Sequence, residues 1–251
     1  MKRVAQRKML PLNVEKYFIA IACAVALPLL RYNMEMMDTP RHQGLRKRLM
    51  NSLHGKGITD ENVLSAMNRV PRHLFAFDSA FTQRAYEDNA FPIGEGQTIS
   101  QPFTVAYQTQ MLDVKKGEKI LEIGTGSGYQ AAILAEMGAR VFTIERVKNL
   151  FEKTKILLDR VGYRSVKCFY GDGFEGLPPF APFDKILVTA AAPFVPEKLL
   201  QQLNPGGMLV IPVGEGDTQL MKRYTKISPA EIKEEAFDAF RFVPMLPGKK
   251  S

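Results

Sequence analysis

With 251 residues, 45% of them hydrophobic, the chain can bury the core of one α/β domain plus a modest extension, and one catalytic-sized domain is expected. Its formal net charge of +8 sits entirely in the first 57 residues, which hold 11 Lys and Arg against 3 Asp and Glu, while the rest balances at 23 of each. No nucleic-acid partner is expected there, because phosphate affinity needs clustered cations; the two distant cysteines, Cys23 and Cys168, give neither a zinc site nor a disulfide framework.

The chain opens with Lys2, Arg3, Arg7, Lys8 and Lys16 ahead of an apolar run at residues 17–30. Spanning a bilayer takes about 20 residues, so this run predicts no transmembrane helix, although a basic stretch before a short apolar one resembles a signal peptide. Met34, Met36 and Met37 offer a second account, in which translation starts there. Residues 1–40 are set apart as an N-terminal extension and residues 41–251 as the domain. The stretch 41–54 has helical spacing, with Leu45, Leu49 and Leu53 on one stripe. Thr59 or Asp60 caps a second helix carrying Val63, Leu64 and Met67, which stops at Arg69 or Val70 because Pro71 disfavours helix in the residue before it. Residues 75–102 show no clean period and are broken by Gly94, Gly96 and Pro102, which predicts a loop with short elements, the kind of long loop that often carries function. Beyond Gly117, short apolar runs alternate with helical segments. Strands are predicted at 119–123, 140–144, 166–170, 185–189 and 208–213, helices at 130–137, 148–161 and 196–203, and a tight turn at Asn204-Pro205-Gly206-Gly207. That order is the mark of an α/β fold, a mostly parallel sheet with helices on both faces. Late strands at 220–227 and 236–243 are expected to add antiparallel pairing near the C-terminus.

The sharpest local motif is Leu121-Glu122-Ile123-Gly124-Thr125-Gly126-Ser127-Gly128-Tyr129-Gln130, a strand running through a glycine turn into a helix. Glycines let the backbone approach a ligand and take positive φ. In dinucleotide enzymes the third glycine follows the second by three positions, whereas Gly128 follows Gly126 by two. The Gly-x-Gly-x-Gly spacing resembles the Rossmann-like S-adenosylmethionine-dependent methyltransferase fold, where no pyrophosphate is cradled. Glu122, Gly124, Thr125, Gly126, Ser127 and Gly128 are accordingly cofactor-binding candidates, with Glu122 placed to meet the cofactor's ammonium or an ordering water. Glu145 ends the second strand, seventeen residues past Gly128, where a carboxylate can accept from both ribose hydroxyls; its plainer reading is a solvated helix-start residue. Asp172 and Gly173 follow the third strand, where Asp172 either holds an adenine amino group or only shapes a turn.

Across residues 58–244 the chain resembles the protein-L-isoaspartate O-methyltransferases. The blocks that carry the resemblance are Val70-Pro71-Arg72, Ala85-Tyr86-Glu87-Asp88, Pro92-Ile93-Gly94-Glu95-Gly96-Gln97-Thr98-Ile99-Ser100-Gln101-Pro102, the glycine turn, Ala190-Ala191-Ala192-Pro193 and Arg241-Phe242-Val243-Pro244, in that order. The resemblance implies S-adenosyl-L-methionine as cofactor and, as acceptor, the free carboxylate of L-isoaspartyl residues in damaged proteins, with D-aspartyl residues as a second acceptor. It implies Ser100 as the active-site serine, Thr98 and Gln101 beside the cofactor, and Ile99, Ala191, Ala192, Pro193, Val243 and Pro244 along the substrate.

The chemistry fits what is present and what is missing. An isoaspartyl carboxylate, with an intrinsic pKa of about 4, is already ionised at neutral pH, so no general base is needed. Positioning and water exclusion suffice, and a hydroxyl such as that of Ser100 orients the carboxylate without neutralising it. A serine hydrolase is disfavoured: His42, His54 and His73 all lie in the first third, and no Gly-x-Ser-x-Gly occurs. The histidines fit no zinc spacing and are expected at the surface or on helices, so no metal is expected. Isoaspartyl proteins and peptides are the expected partners, the chain is expected to be a monomer, and the cytoplasm, where the cofactor is made, is the expected location, with export or membrane attachment through residues 1–40 as the alternative. Two rival functions remain open: methylation of another acceptor, and a catalytically silent binding module of the same fold.

Overall fold

The computed structural model describes residues 38–251; the basic segment, the apolar run at 17–30, Cys23 and the candidate starts at Met34, Met36 and Met37 lie outside the described residues. Helix α1 (Pro40–Gly55) starts on Thr39, whose side chain accepts from His42 N at 3.3 Å, with Pro40 supplying the fixed φ of a first helical turn. It buries Leu49 and Leu53 of the predicted stripe, with Leu45 half-buried, and Met50 and Arg46 besides. Helix α2 (Glu61–Arg69) is capped by Asp60, whose Oδ1 accepts from Asn62 N at 2.8 Å, and ends where Val70 turns extended ahead of Pro71. A 3₁₀ turn at Arg72–Phe75 follows; of the two places expected for the histidines, the surface or a helix, His73 takes the second, buried in this helical turn at 2% exposure. The long stretch to residue 101 holds α3 (Ser79–Thr82) and a hairpin of β1 (Phe91–Gly94) with β2 (Gln97–Ile99).

Then comes α4 (Pro102–Leu112), which the sequence did not announce. Pro102, Val105, Ala106, Gln108, Thr109, Met111 and Leu112 are all buried, on more than one face of the helix. A helix packed nearly all round carries no polar stripe and hence no readable period.

The remaining elements are β3 (Lys119–Ile123), α5 (Tyr129–Glu136), β4 (Arg140–Glu145), α6 (Lys148–Arg160), β5 (Lys167–Tyr170), β6 (Phe183–Val188), α7 (Glu197–Gln201), β7 (Leu203–Val213), β8 (Gln219–Ser228) and β9 (Glu231–Phe240). They form a seven-stranded sheet of order β5-β4-β3-β6-β7-β8-β9, parallel from β5 to β7 and antiparallel through β8 and β9. Strand alternation feeds two cores: Ile120, Leu187 and Val210 face the cluster built with α1, α2, α4, α5 and α6, while Leu121, Ile186 and Leu209 face the one holding Leu199 of α7. The α/β architecture with an antiparallel C-terminal addition is the one expected.

Two boundaries moved for physical reasons. Strand β7 begins at Leu203, and the tight turn expected at Asn204–Gly207 is a bulge within its span, since Phe183 pairs with Leu203 but Lys185 pairs with Met208. Gly206 takes a φ of 80° there and Asn204 Nδ2 donates to Asp184 Oδ1 at 2.8 Å. Strand β9 begins at Glu231, earlier than the predicted 236, because Glu231, Lys233, Glu234 and Glu235 hide an exposed edge strand behind a polar sequence.

Candidate active site

In a parallel sheet the crevice opens where the strand order reverses, at the carboxyl ends of neighbouring strands that lead to opposite sides. Here β3 is followed by β4 and β5 on one side and adjoins β6 on the other. A cleft lies at that point, lined by the ends of β3, β4 and β6 together with residues 97–100 and 243–246.

The glycine turn forms its floor. Gly124 N and Thr125 N donate to Ile144 O at 2.9 and 3.1 Å, which ties the turn to β4. Gly124, Gly126 and Gly128 all have positive φ, and a side chain at Gly128 would strike Thr154 and Leu158 of α6 at 2.8 and 3.2 Å. Gly128 is therefore a packing glycine that starts α5; it does not line the cleft, whereas Gly124, Thr125, Gly126 and Ser127 do.

Two carboxylates face the cleft. Glu145 accepts from Gly126 N through Oε2 and from Val147 N through Oε1, both at 2.9 Å, so it braces the turn as well as lining the pocket. Burial pushes its carboxyl upward, and the backbone donors at Val147 and Gly126 oppose that. Glu122 is wholly buried: Oε2 accepts from Thr143 Oγ1 at 2.5 Å, and Thr143 in turn contacts Thr125 Oγ1 at 2.7 Å. Its other oxygen, Oε1, has no partner among the described residues. Burial pushes this carboxyl up to about 8, against the Thr143 hydrogen bond and with help from the nearby Glu145 charge.

Above the floor, Thr98 and Ile99 of β2 and Ser100 on the link to α4 line the cleft. Gln101 does not; its Nε2 donates to Asp88 O at 3.0 Å. On the far side Gly173, Val243 and Pro244 line the cleft. Asp172 stands outside the lining and accepts from backbone through both oxygens, Oδ1 from Phe174 N at 2.9 Å and Oδ2 from Gly248 N at 2.6 Å. Ala191 and Ala192 are buried framework, with Ala191 N donating to Val243 O at 2.8 Å and Ala192 N to Pro212 O at 2.9 Å, and Pro193 is exposed beyond them. Thr189, Met245 and Leu246 line the cleft without having been singled out in the sequence. Thr189 could have been found as a polar residue closing a hydrophobic strand; Met245 and Leu246 had no local signal.

The protein-family model described as protein-L-isoaspartate(D-aspartate) O-methyltransferase matches residues 44–250, a span that contains every residue assigned above to the cleft. The chain belongs to the protein-L-isoaspartate O-methyltransferase family. A family relative from Cytophaga hutchinsonii is 57% identical over 84% of this chain and 95% of its own length. Another, from Christiangramia forsetii, is 55% identical over 85% of this chain and 100% of its own. Among solved structures, a protein-L-isoaspartate O-methyltransferase superimposes with a TM-score of 0.74 at 29% identity, covering 82% of this chain and 67% of that one. A Plasmodium falciparum beta-aspartate methyltransferase, solved in complex with S-adenosyl-L-homocysteine, gives 0.71 at 27% identity, covering 80% and 98%. No helix among the described residues is long and apolar enough to cross a membrane.

Proposed function

We infer that this family member transfers the methyl group of S-adenosylmethionine to the free carboxylate of L-isoaspartyl residues, and of D-aspartyl residues, in damaged proteins, which opens their repair. The observation that carries the cofactor assignment is the unpartnered, fully buried Oε1 of Glu122 in a cleft floored by a glycine turn. A buried carboxyl oxygen with no protein partner calls for a polar ligand, and a cationic amine seated there draws the group into its ionised form, which fits the cofactor's amino-acid end. Glu145 at the rim of the same floor fits ribose hydroxyls, and Gly124, Thr125, Gly126 and Ser127 give the close backbone approach. When bound, S-adenosylmethionine supplies a methyl carbon already activated by its sulfonium charge.

The chain's own residues then orient and exclude. Ser100 donates a single hydrogen bond to the acceptor carboxylate, which keeps the nucleophile ionised while fixing its direction. Thr98 and Ile99 with Val243 and Pro244 close on the substrate from opposite walls and remove water from the approach. Asp172 acts by holding the C-terminal segment in place, and Gln101 by fixing the serine's link. The domain, drawn at 41–251 from the sequence and begun in the structure by the Thr39 cap and Pro40 of α1, works as a monomer in the cytoplasm, on polypeptide and not nucleic acid.

Incubation with labelled S-adenosylmethionine and paired peptides containing isoaspartate or aspartate tests this directly: base-labile label is expected on the isoaspartyl peptide alone. Ser100→Ala is expected to lower turnover with little change in cofactor affinity, and Glu145→Ala to weaken the cofactor. Equal labelling of both peptides, or full turnover by Ser100→Ala, would overturn the corresponding assignment.

A further inference from the structure

The Ala85–Asp88 block has no part in the chemistry above, yet Asp88 bonds to two residues that closely follow Ser100, Gln101 and Phe103. The serine sits on the unpaired link between β2 and α4, and α4 starts without a cap of its own: the side chain of Gln101 makes no capping bond, and Pro102 has no N–H. The first amide needing an acceptor is that of Phe103. Asp88 meets all of this. Its Oδ1 accepts from Phe103 N at 2.8 Å, its main-chain carbonyl accepts from Gln101 Nε2 at 3.0 Å, and its Oδ2 pairs with Lys56 Nζ at 2.6 Å.

The turn that carries Asp88 is held from within. Arg72, only 1% exposed, donates through Nε to Ala85 O at 2.9 Å and through Nη2 to Asn89 O at 3.3 Å, with its guanidinium 4.9 Å from the Tyr129 ring. Burial lowers its pKa to about 10, which still leaves a cation at neutral pH. A charge buried at that cost is placed where the backbone carbonyls must not move.

We propose that Asp88 is a positioning residue for Ser100, acting as a remote N-cap of α4 and a clamp on Gln101 so that the serine hydroxyl stands at a fixed place in the cleft. This rests on the assignment of Ser100 given above. None of the glycine turn, Glu122 or Glu145 bonds to Asp88, so cofactor binding is independent of it.

The test compares four variants of the full chain, Ser100→Ala among them, by single-turnover methyl transfer to an isoaspartyl peptide, S-adenosyl-L-homocysteine affinity and thermal midpoint. Asp88→Ala is expected to slow transfer about 10- to 100-fold, the scale of an ångström-sized misplacement, with cofactor affinity within about twofold. Asp88→Asn keeps the Oδ1 acceptor and is expected to restore the rate to within about threefold of the parent; Lys56→Ala removes the ion pair and the ammonium's contact 6.0 Å over the Phe103 ring but leaves the Oδ1 cap in place, and is expected to leave the rate unchanged. A merely structural role predicts that rate follows thermal midpoint across the series, and that result would overturn the proposal. So would a parental rate in Asp88→Ala alongside an impaired Ser100→Ala, whereas a parental rate in Ser100→Ala removes the serine assignment itself. Independently of folding, hydrogen exchange in the parent must show the Phe103 amide protected; exchange as fast as an uncapped helix start defeats the idea.

Discussion

Glu122 is the residue at which protonation, stability and ligand binding meet. Folding takes its carboxyl from an ordinary 4.5 to about 8. Between those values the folded chain holds a proton that the unfolded chain has lost, so stability is greatest below the lower value and falls as pH rises through the upper one. The thermal midpoint of the ligand-free protein is thus expected to decline from pH 5 to pH 9, and Glu122→Gln to flatten that decline; parallel curves for the two proteins would show that another group is responsible. A cation seated against Oε1 favours the ionised form, so cofactor binding near pH 7 is expected to release protons. Calorimetry in two buffers of different ionisation enthalpy reads this as a difference in apparent heat, and identical heats would rule it out. The sequence marked Glu122 by its place before the glycine turn, but not its depth: it has zero exposure on a strand flanked by β4 and β6, with Thr143 of β4 bonded to it.

Among the elements, α5 and α6 are coupled through the glycine turn. Thr154 Oγ1 of α6 donates to Gly126 O at 2.6 Å, and the same residue's methyl lies 2.8 Å from where a side chain on Gly128 would begin. Gly128→Ala adds both a left-handed penalty at φ 86° and an overlap, so it is expected to cost about 2–4 kcal/mol, lowering the thermal midpoint by very roughly 5–15 °C. A shift below about 2 °C would mean that α6 yields easily. Amphipathic elements were legible from their sequence because one face is wet: α1 buries Leu49 and Leu53 while Arg41, Lys47 and Arg48 stay exposed. By contrast α4, buried nearly all round, and β9, polar and at the sheet edge, break the link between pattern and element from opposite directions.

At the scale of the whole molecule, the C-terminal segment straps the cleft. Lys250 N donates to Arg146 O at 2.7 Å, Lys148 N to Lys250 O at 2.9 Å and Gly248 N to Asp172 Oδ2 at 2.6 Å, while Lys250 Nζ meets Glu95 Oε2 of the β1–β2 hairpin at 3.0 Å. Met245 and Leu246, just before the strap, line the cleft. Deleting residues 248–251 removes these anchors and is expected to speed dissociation of S-adenosyl-L-homocysteine about tenfold, equivalent to ~1.4 kcal/mol, as read by competition kinetics. An unchanged off-rate would show that the wall stands without its anchors. What the sequence determined by itself is whatever depends on neighbours along the chain: the strand–turn–helix of residues 121–130, a helix cap at Thr59 or Asp60, the alternation that makes an α/β fold, and the ordered blocks that place the chain in its family. What only the tertiary structure decided is whatever depends on distance across the chain. Asp172 binds the strap, Gln101 binds Asp88, and the alanines behind the far wall are framework. A side chain's hydrogen-bond partner is fixed by which backbone groups arrive beside it when the sheet closes, and no local pattern encodes that arrival.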